Sequence, residues 1–366
     1  MLPTAFRNRY RLVILALVAL LAAACGAESD VPASQGGSEV AEAGGDAESE
    51  AGSGSESETG GDASPAESAG DCEGEDGEYL IGMSQANVAE PYRQQMDDDI
   101  RAAAAEVPQF EVVFSDAAQD NAKQVADVEN FVTQGIDLLI ISPNEAAPLT
   151  DVVARVYEQG IPVILLDRQI EGDTFTTFIG GDNVEIGRAA GEYVATELLP
   201  DGGNVVELRG LPGSTPAQER ADGFREGIAG AEGIEIIAEG VGNWLREEGQ
   251  AQAEAIFQAN ADIDVVYAHN DPMAEGAYLA AQSAGIAEDL QFIGIDALPI
   301  PSGGIRAVQE GRLSATFVYP TGGADAIEVA QQILVACEEP ETEIILETQL
   351  VTEENAAQVY EENATG

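Results

Sequence analysis

Basic residues are scarce in this chain. Its 366 residues hold 67 acids against 15 bases, a formal net charge of −52, and Lys123 is the only lysine. A chain so charged repels polyanions, which argues against nucleic acid or an anionic membrane surface as a partner. An acid-rich, lysine-poor surface fits a protein kept soluble in high salt, so a salt-adapted source is expected. Histidine occurs once, as His269, and the three cysteines are far apart. No zinc-type cluster can be assembled from them. Neither a Gly-x-Gly-x-x-Gly turn nor a Walker loop is present, and no nucleophile elbow. A hydrolytic triad would need Ser214 or Ser84 beside His269, with no pattern to support it. The run His269-Asn270-Asp271 reads better as a strand end that places Asn270. Asp97-Asp98-Asp99 lacks the spacing around a glycine that a calcium loop needs, and reads as a solvated helix face. Neither catalysis nor a cofactor or metal is expected.

Long apolar runs are also missing, except one. Arg7, Arg9 and Arg11 precede an apolar core from Leu12 to Leu21, followed by Ala22-Ala23-Ala24-Cys25. That order is a secretory signal, too short for a spanning helix with soluble flanks. A cysteine after small residues resembles a bacterial lipobox, with Ala22 where leucine is usual. Residues 1–24 are therefore expected to be a lipoprotein signal peptide and Cys25 the lipidated residue, which would anchor the chain to a membrane. Residues 26–76 hold 15 carboxylates and no base, among Gly, Ser and Ala. Such a segment cannot bury enough apolar surface to fold. Residues 25–76 read as an acidic tether with a reach of roughly 40 Å.

From residue 77 onward, strand and helix patterns alternate. Strands are expected at 79–83, 110–114, 137–141, 163–166 and 175–179, with helices at 91–106, 122–134 and 147–159 between them. The rhythm then restarts. Helices are expected at 184–198, 217–229, 246–260, 273–284, 304–309 and 323–336, and strands at 204–208, 234–238, 265–268, 291–295 and 314–318. Alternation of this kind implies a parallel sheet. The strands are too many for one small sheet, so the expected fold is α/β with two doubly wound lobes. Gly180-Gly181-Asp182-Asn183 is a natural hinge.

The stretch Ile161-Pro162-Val163-Ile164-Leu165-Leu166-Asp167-Arg168 concentrates the chemistry. Its apolar run does not alternate, as in a strand covered on both faces. An acid and a base close it. In open α/β sheets, ligands bind beyond the carboxyl ends of the strands. A carboxylate accepts hydrogen bonds and a guanidinium donates them in a fixed fork, so the pair suits a ligand rich in hydroxyls. The same two residues would also serve as a surface ion pair.

Several phrases then fall in a telling order: IGMSQANVAEPYR (81–93), VTQGIDLLIISP (132–143), IPVILLDR (161–168), GGDNVEIGRAAGEYV (180–194), GNVVELRGLPGSTPAQERADGF (203–224), VVYAHNDPMAEGA (265–277), FIGIDALP (292–299) and GRLSATFVYPT (311–321). Together they resemble the type I periplasmic sugar-binding proteins of ABC importers, the ribose- and galactofuranose-binding family. The resemblance runs from about Glu78 to Val351. It implies two lobes that close over a sugar, joined by three crossings near Gly181–Asn183, near Tyr319–Thr321, and between about Glu343 and Leu350. By that pattern the N-terminal lobe takes 77–181 plus about 321–343, and the C-terminal lobe 182–320 plus about 344–366.

The resemblance also implies a site. Ser84 matches a serine of the first strand, and Glu90 falls where ribose binders have asparagine. Tyr92 matches a stacking aromatic, and Arg93 the arginine of galactofuranose-type members. Asp167 and Arg168 match the strand-end pair. Arg220 matches the arginine of the second lobe, Trp244 its aromatic, Asn270 the asparagine of Asn-Asp and Asp296 the aspartate of Gly-Ile-Asp. Tyr319 replaces a glutamine. Trp244 lies in a Gly-Asn-Trp loop and not in a periodic helix, which favours ligand contact over core filling. In the family's arrangement the helix before Cys337 packs in the first lobe, so Cys72 and Cys337 either pair or remain two free thiols.

The expected function is a lipid-anchored, monomeric, extracytoplasmic receptor that hands a monosaccharide or related polyol to ABC permease and ATPase subunits. A receptor that feeds a sensor kinase or chemoreceptor would have the same lobes. A sugar-acting enzyme is the third reading.

Overall fold

The computed structural model describes Gly74 and residues 77–364. The signal, the tether apart from Gly74, Cys25 and Cys72 lie outside the described residues. Cys337 is disulfide-bonded.

Among the described residues, twelve strands form two sheets of six. The first sheet contains β1 (Tyr79–Gln85), β2 (Phe110–Asp116), β3 (Leu138–Ile141), β4 (Val163–Leu166), β5 (Thr177–Gly181) and β11 (Glu343–Leu346). Their order is β11-β5-β4-β3-β1-β2, all parallel. The second contains β6 (Gly203–Arg209), β7 (Ile234–Val241), β8 (Val265–Ala268), β9 (Gln291–Ile293), β10 (Ala315–Val318) and β12 (Gln349–Thr352). Its order is β12-β10-β9-β8-β6-β7, with β12 alone antiparallel, against β10. This is the doubly wound fold read from the alternation. β3 and β4 are buried at every position. Helices cover both faces of a parallel sheet, so its strands carry no polar alternation.

The chain passes from the first sheet to the second after β5, where α4 (Asn183–Tyr193) begins. It returns after β10 into α9 (Gly323–Leu334), which packs on α1 (Pro91–Ala105). It passes a third time between β11 and β12. β11 stays on the first sheet through Leu346, beyond the expected lobe boundary near 343. The expected strand at 175–179 begins instead at Thr177, and the helix expected over 184–198 ends in a π turn at Val194–Leu198.

Local chemistry fixes the helix starts that matter for the crevice. The Asp120 side chain accepts from the Lys123 N–H and caps α2 (Asn121–Gln134), which Gly135 ends at φ 80°. Asn270 caps α7 (Asp271–Ala284) by accepting from the Met273 N–H. α5 (Thr215–Ile228) is pressed against α4: a Cβ on Gly187 would stand 2.4 Å from the Arg220 carbonyl oxygen, and one on Gly223 would stand 2.1 Å from that of Val184. That approach brings Arg220 against Asn183 at the first crossing.

One expected surface feature is corrected. Of Asp97-Asp98-Asp99, only Asp98 is solvated. Asp97 is buried and accepts from Gln85 Nε2 at 2.9 Å, and Asp99 accepts from the Thr321 hydroxyl. Most of the other acids stand on the outside. From residue 77 onward there are 52 acids and 12 bases, a net of −40. Self-repulsion at that charge destabilises the compact state when screening is weak. The melting temperature should therefore rise as sodium chloride goes from about 10 mM to about 1 M, where the Debye length shrinks from roughly 30 to 3 Å. A flat melting temperature across that range would remove the argument for salt adaptation.

Candidate functional site

Every residue around the crevice follows the carboxyl end of a strand. Glu90, Tyr92 and Arg93 come after β1, and Asp167 and Arg168 after β4. Pro216 and Arg220 come after β6, Trp244 after β7, Asn270 after β8, Asp296 after β9 and Tyr319 after β10. These eleven residues line one pocket. That is the crevice that the doubly wound topology places between sheet ends.

Asp167 is the hub. Its Oδ2 accepts from Arg93 Nη2 at 2.5 Å and its Oδ1 from the Tyr319 hydroxyl at 2.7 Å. Arg168 Nε stands 3.7 Å away. Burial pushes the Asp167 carboxyl up, but Arg93, Arg168 and the Tyr319 hydroxyl together hold it below the ordinary carboxylate range. Arg93 Nη1 also donates to Ser142 Oγ at 2.8 Å. Arg168 Nη1 donates to the Asn144 carbonyl at 2.9 Å. Burial and the neighbouring Arg93 bring the Arg168 guanidinium down to about 10, so it stays charged at neutral pH.

The second lobe supplies the opposite wall. Arg220 Nε donates to Asn183 Oδ1 at 2.8 Å, and its Nη1 donates to the His269 carbonyl. Its guanidinium lies 4.5 Å from the Tyr319 ring centre, and both it and Arg168 lie 5.5 Å from that of Trp244. Tyr92 and Tyr319 meet at 5.4 Å, and the Tyr92 hydroxyl donates to the Pro320 carbonyl. Trp244 rests on Gly210, where a Cβ would come within 2.2 Å of the indole.

Asp296 differs from Asp167. Among the described residues its carboxyl accepts no hydrogen bond. Burial and the nearby Asp271 raise it well above its usual range. Asp271 itself is pushed up to about 7 by burial, and it accepts from Thr316 Oγ1 at 2.7 Å and the Ala297 N–H at 2.8 Å.

Backbone strain gathers here. Of eight non-glycine residues with positive φ, five flank the cavity: Asp167, Asn243, Trp244, Asp296 and Ala297. Each such residue costs on the order of 1–3 kcal/mol and persists only where its surroundings hold it. Among the pocket-lining residues, three buried donor atoms have no hydrogen-bond partner: Arg93 Nε, Arg168 Nε and Trp244 Nε1. The site therefore offers idle donors beside an idle carboxyl, around an indole.

One sequence expectation changes and another gains detail. Ser84 does not line the cavity. It is fully buried near the end of β1, where its hydroxyl accepts from Gln124 Nε2 at 3.3 Å. Asn270 does line it, but both ends of its amide are used: Oδ1 caps α7 and Nδ2 donates to the Trp244 carbonyl at 3.0 Å. Its work is to hold the Trp244 loop. Pro216, at the start of α5, was missed because a proline at a helix start signals only the helix. His269 is buried, with Nε2 2.9 Å from Glu207 Oε1, and burial lowers its pKa against the pull of Glu207. The Ser214 hydroxyl donates to the Leu211 carbonyl, so no serine–histidine pair forms between them. Among the described residues no group of three or more His, Cys, Asp or Glu side chains is arranged to hold a metal ion.

Comparison with known proteins agrees with this geometry. Residues 81–337 match the family described as periplasmic binding protein domain. The ribose import binding protein of Bacillus subtilis is 32% identical over 259 residues, 70% of this chain and 82% of that protein. The galactofuranose-binding protein of Escherichia coli K12 is 32% identical over 227 residues, 60% of this chain and 70% of that protein. Among solved structures, the fructose-binding periplasmic domain of a hybrid two-component system is 41% identical with a TM-score of 0.76, covering 78% of this chain and 95% of that one.

Proposed function

The chain belongs to the periplasmic binding protein domain family, as a type I sugar-binding member of the ribose and galactofuranose kind, and from that premise we propose that it is the extracytoplasmic receptor of an ABC importer for a monosaccharide or related polyol. One observation carries the reading. Arg168, Trp244 and Asp296 line a single pocket from two lobes, and each has a polar side-chain group without a hydrogen-bond partner among the described residues. Sugar hydroxyls both donate and accept, and sugar C–H faces pack on aromatic rings, so such a ligand uses all of these groups at once.

Arg93 and Tyr319 stand where ribose binders resembled by the sequence have other residues. The galactofuranose named for one relative leans the same way, toward a furanose. A thermal-shift panel of pentoses, hexoses, polyols and sugar acids tests this. A sugar that binds only the folded state, at 100 times its Kd, adds about 2.7 kcal/mol. At roughly 2–4 °C per kcal/mol for a domain near this size, the cognate sugar should raise the melting temperature by roughly 5–10 °C. A panel with no shift at millimolar sugar would sink the proposal.

The signalling alternative has one specific support, since the solved relative above is part of a two-component system. Permease and ATPase genes beside this one would favour import, and a sensor-kinase gene would favour signalling.

A further inference from the structure

The cavity is not the only place where the lobes meet. Three hydrogen bonds cross outside it. The Ala146 N–H donates to the Gly213 carbonyl at 2.9 Å, the Gln169 N–H to Thr215 Oγ1 at 3.1 Å, and Gln119 Nε2 to the Asn243 carbonyl at 3.0 Å. None of these six residues lines the cavity. All three donors belong to the first lobe and all three acceptors to the second.

Each contact is built on both sides. Ala146 opens α3 (Ala146–Glu158), whose N-terminus has no side-chain cap of its own. The first amides of a helix have no partner within it, and the helix dipole makes that end attract a carbonyl oxygen. The second lobe supplies that oxygen. Gly213 can approach only because it has no side chain: a Cβ would stand 2.0 Å from Glu145 Oε2, and Asn121 Nδ2 holds Glu145 at 2.6 Å. Gln119 is clamped as well. With Ala118 it has positive φ, its N–H donates to the Ala86 carbonyl, and its carbonyl accepts from Asn144 Nδ2. Its side chain then reaches the residue before Trp244. The Trp244 loop is thus held from its own lobe by Asn270 and from the other lobe by Gln119.

We propose that these three bonds form an interlobe latch that populates the closed form before any sugar arrives, with Gln119 and Gly213 as the positioning residues that set the closed fraction. The inference takes from the proposed function only that the lobes open and close about the crevice. Contacts made in the closed form alone favour it whether or not a ligand is present. Any change in the closed fraction appears as the same factor in the apparent Kd, without a contact to the sugar. A single hydrogen bond of ordinary net strength is equivalent to roughly a two- to tenfold change in that equilibrium.

Amide hydrogen exchange on the sugar-free full chain tests this. The Ala146 and Gln169 amides are protected only while the lobes are closed. Gln119→Met keeps the side-chain length and removes the donor. It should speed exchange at Ala146 and Gln169 by roughly two- to tenfold, with core amides of β3 and β8 unchanged. Gly213→Val drives a side chain into Glu145 and should speed exchange at Gln169. Adding Glu145→Ala clears the space and should restore it. Unprotected Ala146 and Gln169 amides in the wild type would overturn the latch. So would exchange that ignores Gln119→Met, or a Gly213→Val effect that Glu145→Ala does not relieve. No sugar is involved, so a chain that binds nothing in the panel overturns the proposed function and leaves the latch to be judged by exchange alone.

Discussion

Asp167→Ala should lower the melting temperature by roughly 6–20 °C and abolish sugar binding. The side chain neutralises Arg93, stands beside Arg168 and accepts from Tyr319, and all four residues are buried. Removing one partner of a buried ion pair leaves an uncompensated charge and costs about 3–5 kcal/mol. At roughly 2–4 °C per kcal/mol that gives the stated range. Backbone adds to it, because Asp167 has φ 68°. Aspartate and asparagine tolerate that conformation better than alanine. Asp167→Asn should thus keep the local backbone and an acceptor for Tyr319, and lose mainly the charge. Its melting temperature should fall between those of wild type and Asp167→Ala.

The pH dependence comes from the lowered pKa. Its unfolded counterpart titrates near 3.9. A depressed folded value contributes stability that is complete above that pH and is lost as pH falls toward the folded value. Asp167→Asn should flatten this part of the acid limb. A melting temperature for Asp167→Ala within a degree of wild type would mean that the hub contributes nothing to the fold.

Much of this site could be read from the chain because its residues sit where strand ends must be. The run Val163–Leu166 announces a strand covered on both faces, and the residues just beyond such a strand are placed by topology, not by side-chain detail. Asp167 and Arg168 were legible for that reason, and Asp296 after Gln291–Ile293 likewise. Ser84 shows the limit. It stands inside β1, one residue before its end, and its hydroxyl is taken by Gln124 from α2. Asn270 was placed correctly at the pocket, and the sequence did not show that its amide also caps a helix and holds the Trp244 loop. The final strands β11 and β12 and the helix α10 (Ala356–Asn363) escaped notice as elements. Glu343–Leu346 and Gln349–Thr352 are short, mix exposed with half-buried positions, and lie at sheet edges. The latch was not legible at all. Gly213 reads as a turn glycine until Glu145, from the other lobe, is seen standing where its side chain would be.

Arg168→Ala and Arg220→Ala should both weaken sugar binding by roughly 10- to 150-fold, yet differ in what else they disturb. Loss of a charged hydrogen-bonding partner costs about 1.5–3 kcal/mol, and about 1.4 kcal/mol is a factor of ten. Arg168 Nη1 donates to the Asn144 and Pro143 carbonyls, and its Nε makes no hydrogen bond, though it stands 3.7 Å from Asp167. Asp167 keeps Arg93 when Arg168 is gone. The Arg168 variant should therefore lose affinity with little change in melting temperature. Arg220 ties Asn183 at the first crossing to the His269 carbonyl and lies over Tyr319 at the second. Its removal should weaken binding, lower the melting temperature of the sugar-free protein and alter how Trp244 responds to closure. Trp244 is the only tryptophan, so its fluorescence reports that response without interference. Titration with the sugar that gives the largest thermal shift measures both variants. If it binds Arg168→Ala and Arg220→Ala as tightly as wild type, the sugar occupies a different place, because no ligand in this cavity can avoid both guanidiniums.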